Sequence, residues 1–115
     1  MAQSSSISRK FHLALGVENI EDSIKEYSRR LGQSPEVVIP QHYALWRTDT
    51  LNVSIRKVSR DESSGLRHLG WEEEGVQAFT TEVDCKHIPW ESFTADQQAQ
   101  EIARIWPSHD DPSSL

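Results

Sequence analysis

Two similar four-residue segments in this 115-residue chain constrain its architecture more than any other feature. The first is Phe11-His12-Leu13-Ala14 and the second is Arg67-His68-Leu69-Gly70. Each places a histidine before a leucine and a very small residue after it, within a segment of alternating apolar character. Internal duplication sets the architecture of a chain. We therefore expect two similar units side by side, with their first strands adjacent and both histidines directed into a shared cleft.

A β-α-β-β-β order is predicted after the first segment. Residues 11–17 alternate and predict a strand whose apolar side chains share one face. Residues 19–31 predict a helix, which Asn19 can cap and which Gly32 can end in the left-handed conformation. Its apolar stripe consists of Ile20, Ile24, Tyr27 and Leu31. Three more strands are predicted at 37–39, 43–47 and 51–58.

The second half of the chain is too short to repeat this order. A fifth strand is predicted at 66–72, and segments 79–85 and 88–93 are predicted to pair as a hairpin. Thr94 then caps a terminal helix over 95–106. The predicted apolar stripe of that helix consists of Ala95, Ala99, Ile102 and Trp106. The fold class is therefore α+β, with one βαβββ module, an incomplete second module and a C-terminal helix.

The composition of the chain ends predicts one folded body with loose termini. Residues 1–8 are rich in serine and are predicted to be a flexible N-terminus. Residues 9–106 are predicted to form a single domain. Residues 107–115 have the composition of a flexible tail.

Charge and cysteine usage limit the partners and the compartment. A formal net charge of −6 argues against nucleic acid and anionic membranes as partners, because both attract a basic face. Cys85 is the only cysteine, which excludes an intrachain disulfide and suits the reducing cytoplasm. The first ten residues lack the apolar run of a signal peptide. We expect a cytoplasmic protein whose partner is a small molecule.

The candidate site residues lie on the strands that should line the cleft. His12 and His68 could ligate a divalent metal; alternatively, they are strand histidines bonded to backbone or water. Glu72 shares the predicted face of His68 and could act as a ligand, a general base or a histidine partner. Alternatively, Glu72 is a solvated acid at the end of its strand.

The polar face of the strand at 51–58 is predicted to bind the ligand. Asn52, Ser54 and Arg56 alternate there with apolar residues. A guanidinium and a hydroxyl can hold a carboxylate or a phosphate. The alternative is that Arg56 pairs with Glu72 or Asp61.

These segments resemble the vicinal-oxygen-chelate superfamily, which includes glyoxalases, bleomycin-resistance proteins and ring-cleaving dioxygenases. FHLALGVENIEDSIKEYSRRLG is similar to the opening of its first module, and LRHLGWE is similar to the first strand of its second module. The resemblance covers residues 11–74. It implies paired βαβββ modules around a cleft and, in many members, one divalent metal held by two histidines and two carboxylates. This chain departs from that pattern, because Asn52, Ser54 and Arg56 include no acid and no motif supports Glu82 or Glu91.

Three functions remain open. The first is a small-molecule-binding protein of this superfamily, with catalysis left undecided. The second is a metal-dependent lyase or dioxygenase that uses His12, His68 and a carboxylate. The third is a regulatory or interaction domain that has lost the site.

A homodimer is also expected, with residues 76–106 in the interface. An incomplete second module would struggle to cover the apolar side chains of this segment. They are Phe79, Ile88, Trp90, Phe93, Ile102 and Trp106. The competing possibility is that the terminal helix folds back over the sheet of its own chain.

Overall fold

The computed structural model describes residues 9–60 and 64–107, which form one sheet and two helices. The α+β fold class is therefore confirmed. The strands are β1 (Arg9–Val17), β2 (Val37–Ile39), β3 (Tyr43–Arg47), β4 (Leu51–Lys57), β5 (Gly65–Glu73), β6 (Thr80–Val83) and β7 (Pro89–Phe93), and the helices are α1 (Ile20–Leu31) and α2 (Ala95–Ile105). The predicted flexible segment 1–8, and all of the predicted tail except Pro107, lie outside the described residues.

The sheet has the strand order β2-β3-β4-β1-β5-β7-β6. In each half, the first strand runs parallel to the last one: β1 pairs with β4, and β5 pairs with β7. The two first strands, β1 and β5, pair antiparallel at the centre, where His12 lies opposite Gly70 and Ala14 lies opposite His68. The prediction that the two histidine-bearing strands are neighbours is confirmed.

Helix α1 covers one face of the first half of the sheet. The Asn19 side chain accepts a hydrogen bond from the Asp22 backbone N at 2.9 Å, and Gly32 ends the helix with φ 74°. Ile20 is buried against Trp46 and Ile55 in the main apolar core. Since Ile55 of β4 faces this core, its polar neighbours face the other side of the sheet, as predicted.

Helix α2 packs on that other side of the sheet. Thr94 and Gln97 form a reciprocal capping box at its start. The predicted stripe is wrong at Ala99, which is exposed, whereas Gln98 is buried. The reason is that α2 crosses a polar part of β4, where the Gln98 amide hydrogen-bonds Asn52. Farther along, Ile102 packs against the small apolar core formed by Ile39, Tyr43 and Leu45, and Trp106 does the same.

The hairpin of β6 and β7 is confirmed, and its turn forms without a glycine. The Asp84 carboxylate accepts hydrogen bonds from the backbone N of Lys86 and Ile88, at 2.8 and 3.0 Å. His87 takes the left-handed conformation, with φ 66°, that glycine usually supplies. The side chain of Asp84 therefore substitutes for the usual turn chemistry.

Strand β5 contains a bulge that the alternation pattern did not predict. Its register with β1 shifts because Arg67 has no partner between the pairs Ala14–His68 and Leu15–Leu66. An inserted residue turns two successive side chains toward one side of the sheet. Strict alternation would place the Arg67 side chain on the sheet face opposite to that of His68, whereas both side chains line the same cavity.

An aromatic cluster lies on the α1 face of the second half of the sheet. The Phe11 ring centroid is 5.1 Å from that of Trp71 and 6.1 Å from that of Trp90. The chain after β4 supplies no helix on that face among the described residues. Neither helix in the described part of the chain has the length and apolar character needed to cross a bilayer.

Candidate metal centre

Three possible metal ligands meet at the centre of the sheet, one from each of the adjacent strands β1, β5 and β7. His12 Nε2 lies 3.9 Å from Glu91 Oε1, and His68 Nε2 lies 3.0 Å from the same oxygen. The two imidazole centroids are 5.0 Å apart. One donor atom from each residue lies within 4.8 Å of the others. The predicted approach of the two histidines is therefore confirmed, and Glu91 joins them.

A buried carboxylate, Glu72, begins the hydrogen-bond chain that supports this centre. It accepts two hydrogen bonds from the Arg47 guanidinium, at 2.9 and 2.6 Å, and one from Asn52 Nδ2 at 2.9 Å. Burial alone would raise the pKa of Glu72, but the hydrogen bonds from Arg47 and Asn52 outweigh this effect and lower it. Glu72 is therefore ionised at neutral pH and can only accept hydrogen bonds.

Asn52 connects the Glu72 carboxylate to His12 through hydrogen bonds. Because Nδ2 of Asn52 faces the Glu72 carboxylate, its Oδ1 faces His12 Nδ1, at 2.8 Å. The backbone carbonyl of Asn52 lies 3.1 Å from the same ring nitrogen and can only accept. We therefore assign the proton of His12 to Nδ1. Its Nε2 then carries a lone pair directed toward His68 and Glu91, as a metal ligand requires.

Gln98 of helix α2 completes this support. Asn52 Nδ2 donates to Gln98 Oε1 at 2.8 Å, and Gln98 Nε2 donates back to Asn52 Oδ1 at 3.1 Å. Both amides are buried, so these bonds hold Asn52 in one orientation. The helix that closes the cavity thus also fixes the residue behind His12.

The environment of His12 favours the neutral imidazole that binds metals. Burial lowers its pKa and the nearby His68 adds to the lowering, against the opposing effects of Asn52 and Glu91. Only 2% of the residue is exposed. A neutral ring needs no proton release before its Nε2 can bind a metal.

The close approach of strand β7 explains why the second four-residue segment ends in glycine, at Gly70. A Cβ atom built on Gly70 would lie 2.2 Å from the backbone oxygen of Glu91. Any larger residue would therefore push β7 away from β5. Glycine at this position lets Glu91 come within reach of His68.

A cavity of roughly 190 Å³ opens above the three possible ligands. Ser54 and Arg56 line it, as predicted, together with the bulge residue Arg67 and with Tyr43. Apolar side chains also line the cavity: Phe79 just before β6, Phe93 of β7, Ile102 and Ile105 of α2, and Trp106 directly after α2. The possible metal ligands thus lie inside a small-molecule cavity rather than on an open surface.

Two predicted site residues lie behind the cavity. Asn52 is fully buried and contacts His12, while Glu72 lies beyond it and pairs with Arg47. The interpretation of Glu72 as a solvated acid is wrong, because the residue is 8% exposed. Its suggested pairing with Arg56 is also wrong, since Arg47 is the arginine that binds it. The other suggested partner of Arg56, Asp61, lies outside the described residues.

Sequence reasoning left Glu91 without support and did not consider Arg47 and Gln98. One signal pointed to Glu91: it is the only acid in the segment 89–93. If the second unit repeated the pairing of the first, its last strand would lie beside its first strand, next to His68. No comparable signal marks Arg47 or Gln98, whose roles depend on contacts between distant segments.

Comparison with known proteins informs the fold alone. No protein-family model matches this chain, and no curated protein matches it. Its fold is similar to a solved structure described as the NAD-dependent benzaldehyde dehydrogenase from Legionella pneumophila, with a TM-score of 0.52 and 13% sequence identity. The match covers 73% of this chain and 97% of that chain. At this identity the likeness concerns the path of the backbone and says nothing about activity.

Proposed function

We propose that this protein belongs to the vicinal-oxygen-chelate superfamily and binds a small molecule at a divalent metal held by His12, His68 and Glu91. The observation that carries the proposal is the convergence of these three donor atoms within 4.8 Å of one another. They lie in the wall of a cavity rather than on the protein surface.

The strand order supports the family assignment. In both halves the first strand is parallel to the last, and the two first strands are adjacent. This is the arrangement expected of paired βαβββ modules, with the helix and one strand missing from the second. The resemblance around the two histidines points the same way.

The donor set fits a divalent metal. Imidazole nitrogens and a carboxylate suit zinc and the neighbouring transition metals, with bonds of about 2.0–2.2 Å. Such bonds bring ligand atoms to about 3 Å from one another. His68 and Glu91 already have this spacing, at 3.0 Å, and His12 is 3.9 Å from the same oxygen. A small movement of His12 would complete the site.

Three protein ligands leave coordination positions open toward the cavity. A metal there would act as a Lewis acid on oxygen atoms of the bound molecule. The chain itself supplies Ser54 and Tyr43 hydroxyls next to this space. Burial raises the pKa of the Tyr43 phenol, so this group can donate a hydrogen bond but does not act as a base at neutral pH.

Catalysis by a metal-dependent lyase or dioxygenase is the second candidate function. The observation that favours it is the two-histidine, one-carboxylate set, which is typical of non-haem iron oxygenases when positions stay open. Turnover would distinguish this candidate from a binding protein that uses the same metal. A regulatory domain without a working site would bind neither metal nor ligand.

Elemental analysis of the protein, purified without chelator or histidine tag, tests the proposal. We expect one transition-metal ion per chain, and an absorption band from d–d transitions after loading with cobalt. Glu91→Gln should weaken metal binding strongly, because an amide is a poor ligand beside two imidazoles. The control is Glu82→Gln, since Glu82 is exposed on β6. A wild-type protein that folds but takes up no metal would refute the proposed centre.

A further inference from the structure

We infer that the molecule bound in this cavity carries an oxyanion, a carboxylate or a phosphate-type group, held by Arg56 and Arg67. This inference rests on the proposed function and deepens it by naming the chemical class of the ligand. A guanidinium presents two parallel N–H groups that match the geometry of such anions.

The two arginines reach the cavity from different strands. Arg56 lies near the end of β4, on the same face as Ser54. Arg67 reaches it through the bulge in β5, since regular alternation would have sent its side chain to the opposite face. The bulge therefore adds a second cation to a wall that would otherwise hold one.

Neither arginine has a carboxylate partner within 4.0 Å among the described residues. The two acids in the cavity wall are engaged elsewhere: Glu91 lies 3.0 Å from His68, and Glu101 lies 2.7 Å from Arg104. Both Arg56 and Arg67 are half-buried. Partial burial weakens the hydration of these two cations, so an anion that enters the cavity with the ligand stabilises them.

An aromatic ring holds Arg56 in place. Its guanidinium carbon lies 5.5 Å from the ring centroid of Trp106, which in turn packs against Tyr43 with a centroid distance of 5.0 Å. Such a cation–π contact needs no hydrogen-bond acceptor, so the N–H groups of the guanidinium stay available to donate to an anion. The arginine is thus held in position before a ligand arrives, which lowers the entropy cost of binding.

The size and the remaining lining of the cavity limit the rest of the ligand. Its volume of roughly 190 Å³ is below the range of about 300–1,000 Å³ that accommodates drug-sized molecules. Phe79, Ile102 and Trp106 provide an apolar wall. We therefore expect a compact organic acid or phosphate compound with a short apolar body.

Isothermal titration of the full chain with three probes tests this inference, on cobalt-loaded and on chelator-treated protein. Phenylacetate and phenyl phosphate carry the anion, and phenylacetamide is the neutral control. Arg56→Gln and Arg67→Gln should each weaken the anions by roughly tenfold to a hundredfold, the effect of losing a charged hydrogen bond. Neither change should alter the binding of phenylacetamide. The control variant is Arg29→Gln, whose exposed side chain lies on helix α1.

The outcomes separate this inference from the proposed function. Metal uptake by the arginine variants should equal that of wild type, and circular dichroism should show the same fold. Anions that bind chelator-treated protein and depend on both arginines support the inference, even if no metal is ever found. Anions that bind only metal-loaded protein, with no effect of either substitution, overturn it and leave the metal centre standing. Equal affinity for phenylacetate and phenylacetamide, or no binding of either anion, also overturns it. The stronger of the two anionic probes identifies the carboxylate or the phosphate.

Discussion

Replacing Glu72 by glutamine should weaken the metal centre although Glu72 does not touch it. Its Oε1 accepts hydrogen bonds from Arg47 Nε and Asn52 Nδ2, and its Oε2 accepts one from Arg47 Nη2. Glutamine keeps the shape but replaces one of these oxygens by an NH2 group. Because Arg47 donates to both positions, this NH2 group must face an Arg47 nitrogen, donor against donor. The side chain at position 72 must then move away from Arg47, and Asn52 is left with a neutral acceptor or with none.

The Asn52 amide, whose Oδ1 lies 2.8 Å from His12 Nδ1, then loses the charged acceptor that holds its NH2 group away from the histidine. If this amide turns over, His12 must move away or transfer its proton to Nε2, and both changes oppose metal binding. Loss of an outer partner of a ligating histidine typically costs about 10–100-fold in metal affinity. We expect a loss in that range for Glu72→Gln.

The same substitution should also destabilise the fold. Removing one partner of a buried ion pair costs about 3–5 kcal/mol. The Arg47 side chain keeps 24% exposure, and Glu36 lies 3.4 Å away as a second partner. We therefore expect a smaller loss of about 2 kcal/mol, which corresponds to a fall in melting temperature of roughly 8 °C.

Competition with a chromophoric chelator measures the metal affinity, and NMR of the imidazole nitrogens reports the proton of His12. The matched control is Glu36→Gln, which changes a partner of the same arginine but has no bond to Asn52. Its side chain is 51% exposed, so little change in stability or affinity is expected. A folded Glu72→Gln protein with wild-type metal affinity and unchanged His12 nitrogen shifts would refute the reasoning.

Three further predictions concern packing, pH and assembly. Gly70→Ala should cost about 1–3 kcal/mol in thermal unfolding and reduce metal uptake, because the new methyl group would lie 2.2 Å from the Glu91 carbonyl oxygen; unchanged metal uptake would contradict it. The pKa of Glu72 is lowered, so its contribution to stability is complete above the ordinary glutamate range and is lost as the pH falls through the folded value. Urea unfolding at several acidic pH values should show this loss, and Glu72→Gln should flatten it. We also predict a homodimer in which a second chain covers Trp71 and Trp90. Light scattering should give about twice the 13.1 kDa chain mass, and Trp90→Lys should reduce it; a wild-type monomer would contradict the prediction.

The order of strands and helices could be predicted because its signals are local. Alternation marks the strands, and the caps at Asn19, Gly32 and Thr94 mark the helix ends within a residue or two. The errors arose where tertiary contacts override a local pattern. Ala99 fits an apolar stripe, but the surface beneath α2 is polar and takes Gln98 instead. The bulge at Arg67 follows from pairing with β1 and has no signature in the alternation of β5.

The candidate site could be predicted only where the two similar histidine-containing segments or a local alternation pattern indicated it. The repeated histidines indicated that β1 and β5 lie together, and the polar face of β4 followed from its alternation. Glu91 depends on the parallel pairing of β5 with β7, which brings it opposite Gly70 across a long separation in sequence. Arg47 depends on the antiparallel pairing of β3 with β4, which places it opposite Asn52. Such pairings are set by the whole sheet, so no local pattern contains them.

The buried hydrogen-bond network behind His12 serves to orient this histidine rather than to stabilise the fold. His12, Asn52, Glu72 and Gln98 are all buried in a chain with only 36% hydrophobic residues. Replacing such groups together by apolar residues is often neutral or even stabilising, because burying charge and amides costs desolvation. What an apolar replacement could not do is orient the His12 ring. The bonds from Arg47 through Glu72 and Asn52 fix the proton of His12 on Nδ1 and leave its Nε2 lone pair directed at Glu91 and His68. The buried hydrogen bonds of this domain therefore orient the Nε2 lone pair of His12. A metal ligand requires such an orientation, whereas a purely structural histidine does not.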